Sequence, residues 1–242
     1  MMLKPRRWAR ISAAAMACLA LGTAAFAAQV NPPNAGGVAA NASLAVNPAL
    51  LVHYVGNYQF GPYALLSVAF DGTQLTMQLT GQPPVAIFPR NTTTFFAKEV
   101  DAQVSFVQDA QGHTTALVLH QHGRDMTAPR IDDAAAQDIN NALAARVNHQ
   151  QPFPGSEAAL QILLSGNDRS PRLSPSLAQA MREQKPQLEA FLARLGPVLS
   201  HEFAGVTPQG WDKYLVRHAS GTEEVLFLLD AHGTIVGALR RP

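Results

Sequence analysis

The strongest constraint on how this chain folds is the strict alternation from Thr73 to Thr80. Leu75, Met77 and Leu79 fall on one side, and Thr76, Gln78 and Thr80 on the other. A period of two marks a strand with one buried face. Upstream, Leu66, Val68 and Phe70 share a side, and Asp71-Gly72 between the two runs is a preferred pair for a two-residue hairpin. Similar runs follow at Val85 to Phe88, Thr93 to Ala97, Val104 to Gln108, Ala116 to Gln121 and Met126 to Ile131, divided by Gly81, Pro83-Pro84, Asn91 and Gly112. About eight short strands at this spacing predict a small antiparallel barrel or sandwich. Closure removes the free edges that a chain of hairpins otherwise leaves, which favours the barrel.

The period then changes. Ala136, Ile139, Leu143 and Val147 recur at three and four, which predicts a helix from Asp132 to Asn148. Pro152, Pro154 and Gly155 end it. Ser156-Glu157 opens a short helix reaching Gly166. Ser174-Pro175 offers an N-cap and first-turn proline for another, running to Leu195 with a kink or break at Pro186. Four strand-like runs close the chain: Val198 to Gly205, Trp211 to Ala219, Thr222 to Asp230 and Thr234 to Arg240. Ser220-Gly221 and His232-Gly233 read as tight turns. Helices followed by a meander predict an α+β unit with helices on one sheet face.

The first 27 residues have the form of a signal peptide: Lys4 to Arg10 are basic, Ile11 to Phe26 apolar, and Ala25-Phe26-Ala27 small-x-small. The apolar run is short for a membrane span and lacks basic residues after it, so cleavage and a periplasmic or secreted location are expected, with no transmembrane segment in the mature chain. Cys18 lies within that run. Lipidation there is the alternative, and Ala15-Met16-Ala17 suits it poorly. Without the leader's four cations, 14 basic residues face 17 acidic ones, a net −3. No basic stripe remains for nucleic acid. Residues 28–48, rich in Ala, Asn, Pro and Gly, read as a flexible leader. The expected organisation is therefore a signal peptide (1–27), leader (28–48), barrel (49–131), connecting helix (132–153) and α+β module (154–242).

Residues 53–131 also carry a family resemblance. The marks are Tyr54 to Tyr58 (Y-V-G-x-Y), Leu79 to Pro83 (L-T-G-Q-P), Phe95-Phe96, Asp109 to Gly112, and Leu119-His120-Gln121 with Gly123-Arg124. In this order they resemble the lipocalin-like C-terminal domain appended to penicillin-binding-protein-like serine peptidases and β-lactamase-related hydrolases. The stretch 154–242 is similar to a tail that often follows that domain, which implies a cystatin-like or nuclear-transport-factor-like fold. In those enzymes a separate N-terminal domain holds a Ser-x-x-Lys nucleophile. No serine of this sequence has lysine three residues on, and about 20 residues between leader peptide and barrel leave no room for such a domain. The resemblance implies an accessory, non-enzymatic protein without cofactor. Its expected occupant is an envelope serine hydrolase as partner or, alternatively, a small apolar or peptide-like ligand in the barrel.

Candidate contact residues are Tyr54, Tyr58, Phe96, His120, His122, Arg124, Trp211 and His218. His120 and His122 face the same way on one strand. With His113 and Asp125 they make a weak metal-site candidate, and a polar strand-end role is preferred. Eight histidines and several serines make chance Ser-His-Asp sets cheap, and no Gly-x-Ser-x-Gly turn is present. In the tail, His201, His218, Glu223, Glu224 and Asp230 suggest a polar pocket as the second alternative, against an ordinary sheet face.

Overall fold

A computed structural model describes residues 46–121 and 123–241. The signal peptide, the possible lipid site at Cys18 and almost all of the proposed leader lie outside the described residues, as does His122.

The N-terminal half is a closed antiparallel barrel of eight strands joined in chain order. They are β1 (Gly56–Gly61), β2 (Ala64–Phe70), β3 (Leu75–Leu79), β4 (Val85–Pro89), β5 (Thr94–Ala97), β6 (Gln103–Gln108), β7 (Thr114–Gln121) and β8 (Arg124–Ile131). Closure comes from β1 on β8, where Asn57 faces Ile131 and Tyr58 faces Arg130. Alternation sends Leu75 and Met77, Val104 and Phe106, and Leu117 and Leu119 inward, all at most 4% exposed. A short helix, α1 (Pro48–Leu51), and a 3-10 turn over Val52–Tyr54 precede the barrel and add Leu51 and Tyr54 to its core. Arg130 holds this plug in place: its guanidinium donates to the carbonyls of Val55 (2.6 Å) and His53 (3.3 Å). Gly56 makes room for it, since a Cβ there would stand 2.9 Å from Arg130 Nε.

Helix α2 (Asp133–His149), capped by Asp132 through the Ala135 N–H, packs on β1 and β2 and leads out of the barrel. Three helices follow: α3 (Ser156–Leu164), α4 (Pro175–Glu183) and α5 (Lys185–Leu195). The break expected at Pro186 lies two residues earlier, so that α4 and α5 meet at Gln184 and Pro186 falls in the first turn of α5, where its missing N–H costs nothing. The last strands, β9 (Val198–Val206), β10 (Asp212–His218), β11 (Gly221–Leu229) and β12 (Ile235–Arg241), form a meander in the order β12-β11-β10-β9. Leu160 and Leu163 of α3 and Leu177 of α4 pack on Val216, Val225 and Phe227 of one sheet face. The chain is mainly β with an α+β second half, as the patterning predicts.

The turns differ from the sequence expectation. Asp71-Gly72 is not a two-residue hairpin but part of a four-residue loop, because Phe70 pairs with Leu75 and the Asp71 side chain organises the gap. Its Oδ1 accepts from the N–H groups of Thr73 and Gln74, both at 2.8 Å. The β10–β11 loop is Ala219-Ser220, one residue earlier than expected. His232-Gly233 sits in a five-residue loop built like Asp109 to His113. In both, aspartate Oδ1 accepts from the N–H groups two and four residues on, and the following glycine (Gly112 or Gly233) takes positive φ.

Among the described residues no helix is long and apolar enough to cross a membrane.

Candidate functional site

In the C-terminal sheet, charged groups are buried. Asp212, Glu223, His218 and Arg240 are each at most 5% exposed. Arg240 Nε donates to Glu223 Oε2 at 2.9 Å, Arg240 Nη2 also bonds Glu223 Oε1, and His218 Nε2 lies 2.8 Å from that oxygen. Three of these four groups also meet a helix end, and Glu223 ties two of them together. Asp212 accepts from the Phe153 N–H (3.0 Å) and the Ser156 hydroxyl at the start of α3. Arg240 donates to the carbonyl of Leu163 in the last turn of α3. His218 Nδ1 donates to the carbonyl of Gly196, just past α5. Anion at a helix start and cation at a helix end complement the helix dipole. These groups are pegs that hold helices to the sheet.

The five residues weighed as a polar pocket in the tail are therefore not gathered at one place. Consecutive strand residues face opposite ways, so Glu224 stands on the other sheet face, 3.9 Å from both Lys213 and Arg241. His201 pairs with Glu157 at 2.6 Å near the surface. Asp230 organises its turn: burial works to raise its carboxyl, and the N–H groups of Thr234 and His232 outweigh it and hold it below the ordinary range. The nearest cavity, between α4, α5 and β12, is about 40 Å³ with Arg240 in its wall. Ligand pockets are commonly ~300 Å³ or more.

The sheet's two edges are treated differently. At β12, Ile235 exchanges backbone hydrogen bonds with Arg172 (2.7 Å) and Ser174 (3.0 Å), so a loop covers its start. At β9 the Gln150 side chain bonds Val206 N–H and carbonyl at one end. Toward the other end an open groove of about 610 Å³ runs between β9 and α3, lined by Leu164, Val198, Leu199 and His201. Leu199 is 62% exposed.

In the barrel, the aromatics fill the interior. Tyr54 stacks on Phe106 with ring centres 4.3 Å apart, and Phe95 meets both edge-on. The hydroxyl of Tyr54 donates to Thr92 O and that of Tyr58 to Tyr54 O, each at 2.7 Å. Burial pushes the Tyr58 phenol up to about 12, with Arg130 opposing. Tyr54 does not share a strand with Tyr58, since it lies in the 3-10 turn before β1. Phe96 points outward onto Phe88 and is 6% exposed.

The outer face of β5 to β8 carries a polar row. His120 Nδ1 lies 2.6 Å from Asp125 Oδ1 and its Nε2 2.9 Å from Ser105 Oγ. Thr94 Oγ1 is 3.3 Å from Ser105 Oγ. Arg124, at the start of β8, reaches Glu183 of α4 at 3.4 Å. The second half of the chain also meets the barrel at Tyr63, whose ring stacks on Phe153. Arg146 of α2 lies over the same Phe153, bonds Gly210 O at 2.7 Å and pairs with Asp212.

Residues 42–137 match DUF3471, a domain of unknown function. No curated protein matches the chain. The DUF3471 match takes in the barrel, α1 and the start of α2, and stops before the C-terminal module.

The eight candidate contact residues do not form one site. Tyr54 and Tyr58 belong to the barrel core. His120 and Arg124 sit on the β7–β8 hairpin, and Trp211 and His218 at opposite ends of β10. Trp211 lies across Gly237, where a Cβ would come within 2.9 Å of its ring. No cluster of three metal-ligating side chains occurs among the described residues. Sequence reasoning missed Ser105 as the partner of His120. Its signal was present: outward positions of β6 and β7 are readable from the alternation, and only the registry of the two strands was not.

Proposed function

We propose that this chain is an exported accessory protein that binds a partner by its outer surface, and that the partner is a serine hydrolase of the β-lactamase-related class. The single observation that carries the binding reading is the barrel core. An eight-stranded barrel holds a ligand only where its own side chains leave room, and here Tyr54, Tyr58, Phe95 and Phe106 fill the centre. The alternative of an apolar carrier would require these side chains to give way to the ligand. The alternative of an enzyme in the tail has a Glu223 whose two oxygens are already taken by Arg240 and His218.

The choice of partner rests on the motif resemblance across 53–131, together with the DUF3471 match over 42–137. The β9 groove is an open surface with exposed Val198 and Leu199 that a partner chain would meet, and an open strand edge suits an extended segment. The experiment is capture from envelope extract with the tagged chain, followed by labelling with a fluorescent penicillin. The expected result is a penicillin-labelled band distinct from the bait and weakened by Leu199→Asp. Recovery of no such band sinks the choice of partner. Its recovery at equal strength by Leu199→Asp moves the contact away from β9.

A further inference from the structure

The polar row on the barrel exterior is more than a set of cross-strand pairs. Three adjacent strands each supply one outward residue: Ser105 from β6, His120 from β7 and Asp125 from β8. The strand pairing explains the meeting, because Asp125 is directly opposite His120 and Ser105 lies diagonally across from it.

The hydrogen-bond directions follow from the donor inventory. A carboxylate only accepts, so the Asp125 oxygen 2.6 Å away holds a proton on His120 Nδ1. In the neutral ring Nε2 is then a bare acceptor, and the group facing it is the Ser105 hydroxyl at 2.9 Å. Ser105 donates to it. Thr94, at 3.3 Å, donates to the serine oxygen from the other side. A hydroxyl on the base nitrogen of an imidazole whose other nitrogen is held by a carboxylate is the arrangement that activates serine nucleophiles. The His120 side chain is 31% exposed and that of Asp125 71%, so a reagent reaches the row directly from solvent.

We propose that Ser105 is a nucleophile toward activated acyl donors, with His120 as its base and Asp125 as the positioning residue. In the reaction Ser105 Oγ bonds the acyl carbon and the bond from that carbon to the leaving group breaks. The serine proton passes to His120 Nε2 and on to the departing group. The products are an ester on Ser105 and the protonated leaving group. Water deprotonated by the same imidazole hydrolyses the ester and restores the serine.

The surroundings set the substrate class. The site lies on a strand surface, where backbone N–H groups serve the ladder, and the Thr94 hydroxyl is committed to Ser105 Oγ. A missing oxyanion donor costs on the order of 10²–10³ in rate. Acyl groups with good leaving groups therefore react, namely activated esters, thioesters and strained lactams, and ordinary peptides do not. The proposal is independent of any partner.

The test uses p-nitrophenyl acetate on the full chain, reading nitrophenolate release and mapping the acetyl group by peptide mass spectrometry. The expected label is on Ser105 and disappears in Ser105→Ala. His120→Gln is expected to slow labelling at least tenfold and to flatten its rise with pH, and Asp125→Asn to slow it less. Unfolding the wild-type chain in urea provides a control without any variant, and should reduce Ser105 labelling to that of the other serines. Label confined to lysines such as Lys98, unchanged labelling in His120→Gln, or equal labelling of Ser105 in urea would each overturn the proposal.

Discussion

The two halves of the molecule solve the same problem with opposite materials. The barrel core is apolar and aromatic, with the tyrosine hydroxyls bonded to backbone carbonyls inside it, and Thr94, Ser105 and His120 are turned out to pair with one another across strands. The C-terminal module buries Asp212, Glu223, His218 and Arg240 inside its sheet-helix interface. Closure explains the difference. A closed barrel covers most of its inner face with its own strands, needing only the short plug before β1, and its alternation separates core from surface. An open sheet must hold separate helices at a fixed place, and apolar packing is not directional. The buried polar groups supply direction, because Asp212, His218 and Arg240 are each bonded to a helix end and Glu223 joins the last two. The comparison teaches that buried titratable groups in this fold mark joints between elements.

The largest test of that contrast is Glu223→Ala. It leaves Arg240 and His218 without their shared carboxylate and is expected to cost about 3–5 kcal/mol. The measurement is urea unfolding followed by Trp211 fluorescence in a chain begun at Ala28, where Trp211 is the sole tryptophan. A cost under ~1 kcal/mol would break the peg interpretation. Tyr58→Phe in the barrel removes one buried hydrogen bond to Tyr54 O and keeps the ring. It is expected to cost about 1 kcal/mol, readable in the same titration, and a much larger loss would show that the barrel also relies on polar pegs.

A device common to both halves gives a third measurement. The Asp109 carboxyl is held below its ordinary range, first by the His113 N–H, and Asp230 is held below it by its own turn. A carboxyl depressed in the folded state contributes stability that is complete above the ordinary value of 3.8 and lost as pH falls through the lower folded value. Asp109→Asn and Asp230→Asn should each flatten the acid limb of stability against pH. An unchanged limb would remove these turns from the account. The smallest effect is at Thr114, whose buried hydroxyl has no hydrogen-bond partner among the described residues. Thr114→Val is expected to be neutral or stabilising by a few tenths of a kcal/mol, since it removes an unpaired polar group.

Much of the barrel could be read before the structure. The alternation in β2, β3, β6 and β7 requires neither a partner nor a register, so Leu75, Met77 and Val68 were assignable to the core from local pattern. The loops were less legible. Asp71-Gly72 has the composition of a two-residue turn, and the hydrogen bonds from the Asp71 side chain widened it to four. Pro186 signalled a break in the long helix, while the junction at Gln184 depended on how α4 and α5 seat on the sheet. The candidate contacts fared unevenly because polarity in a sequence does not distinguish a peg from a site. His218 lies inside a sealed ion-pair network, and His120 lies at the surface in a row with Ser105.

By itself the sequence determined the order and period of the elements, the inward set of β2 and β3 and the residues able to end a helix. These follow from local sterics and from alternation, which act over a few residues. Tertiary structure alone decided that Ser105, His120 and Asp125 stand in one row, that Glu223 meets Arg240, and that Asp212 meets Arg146. Those meetings depend on strand register and helix placement, which are settled only when distant segments of the chain pack together.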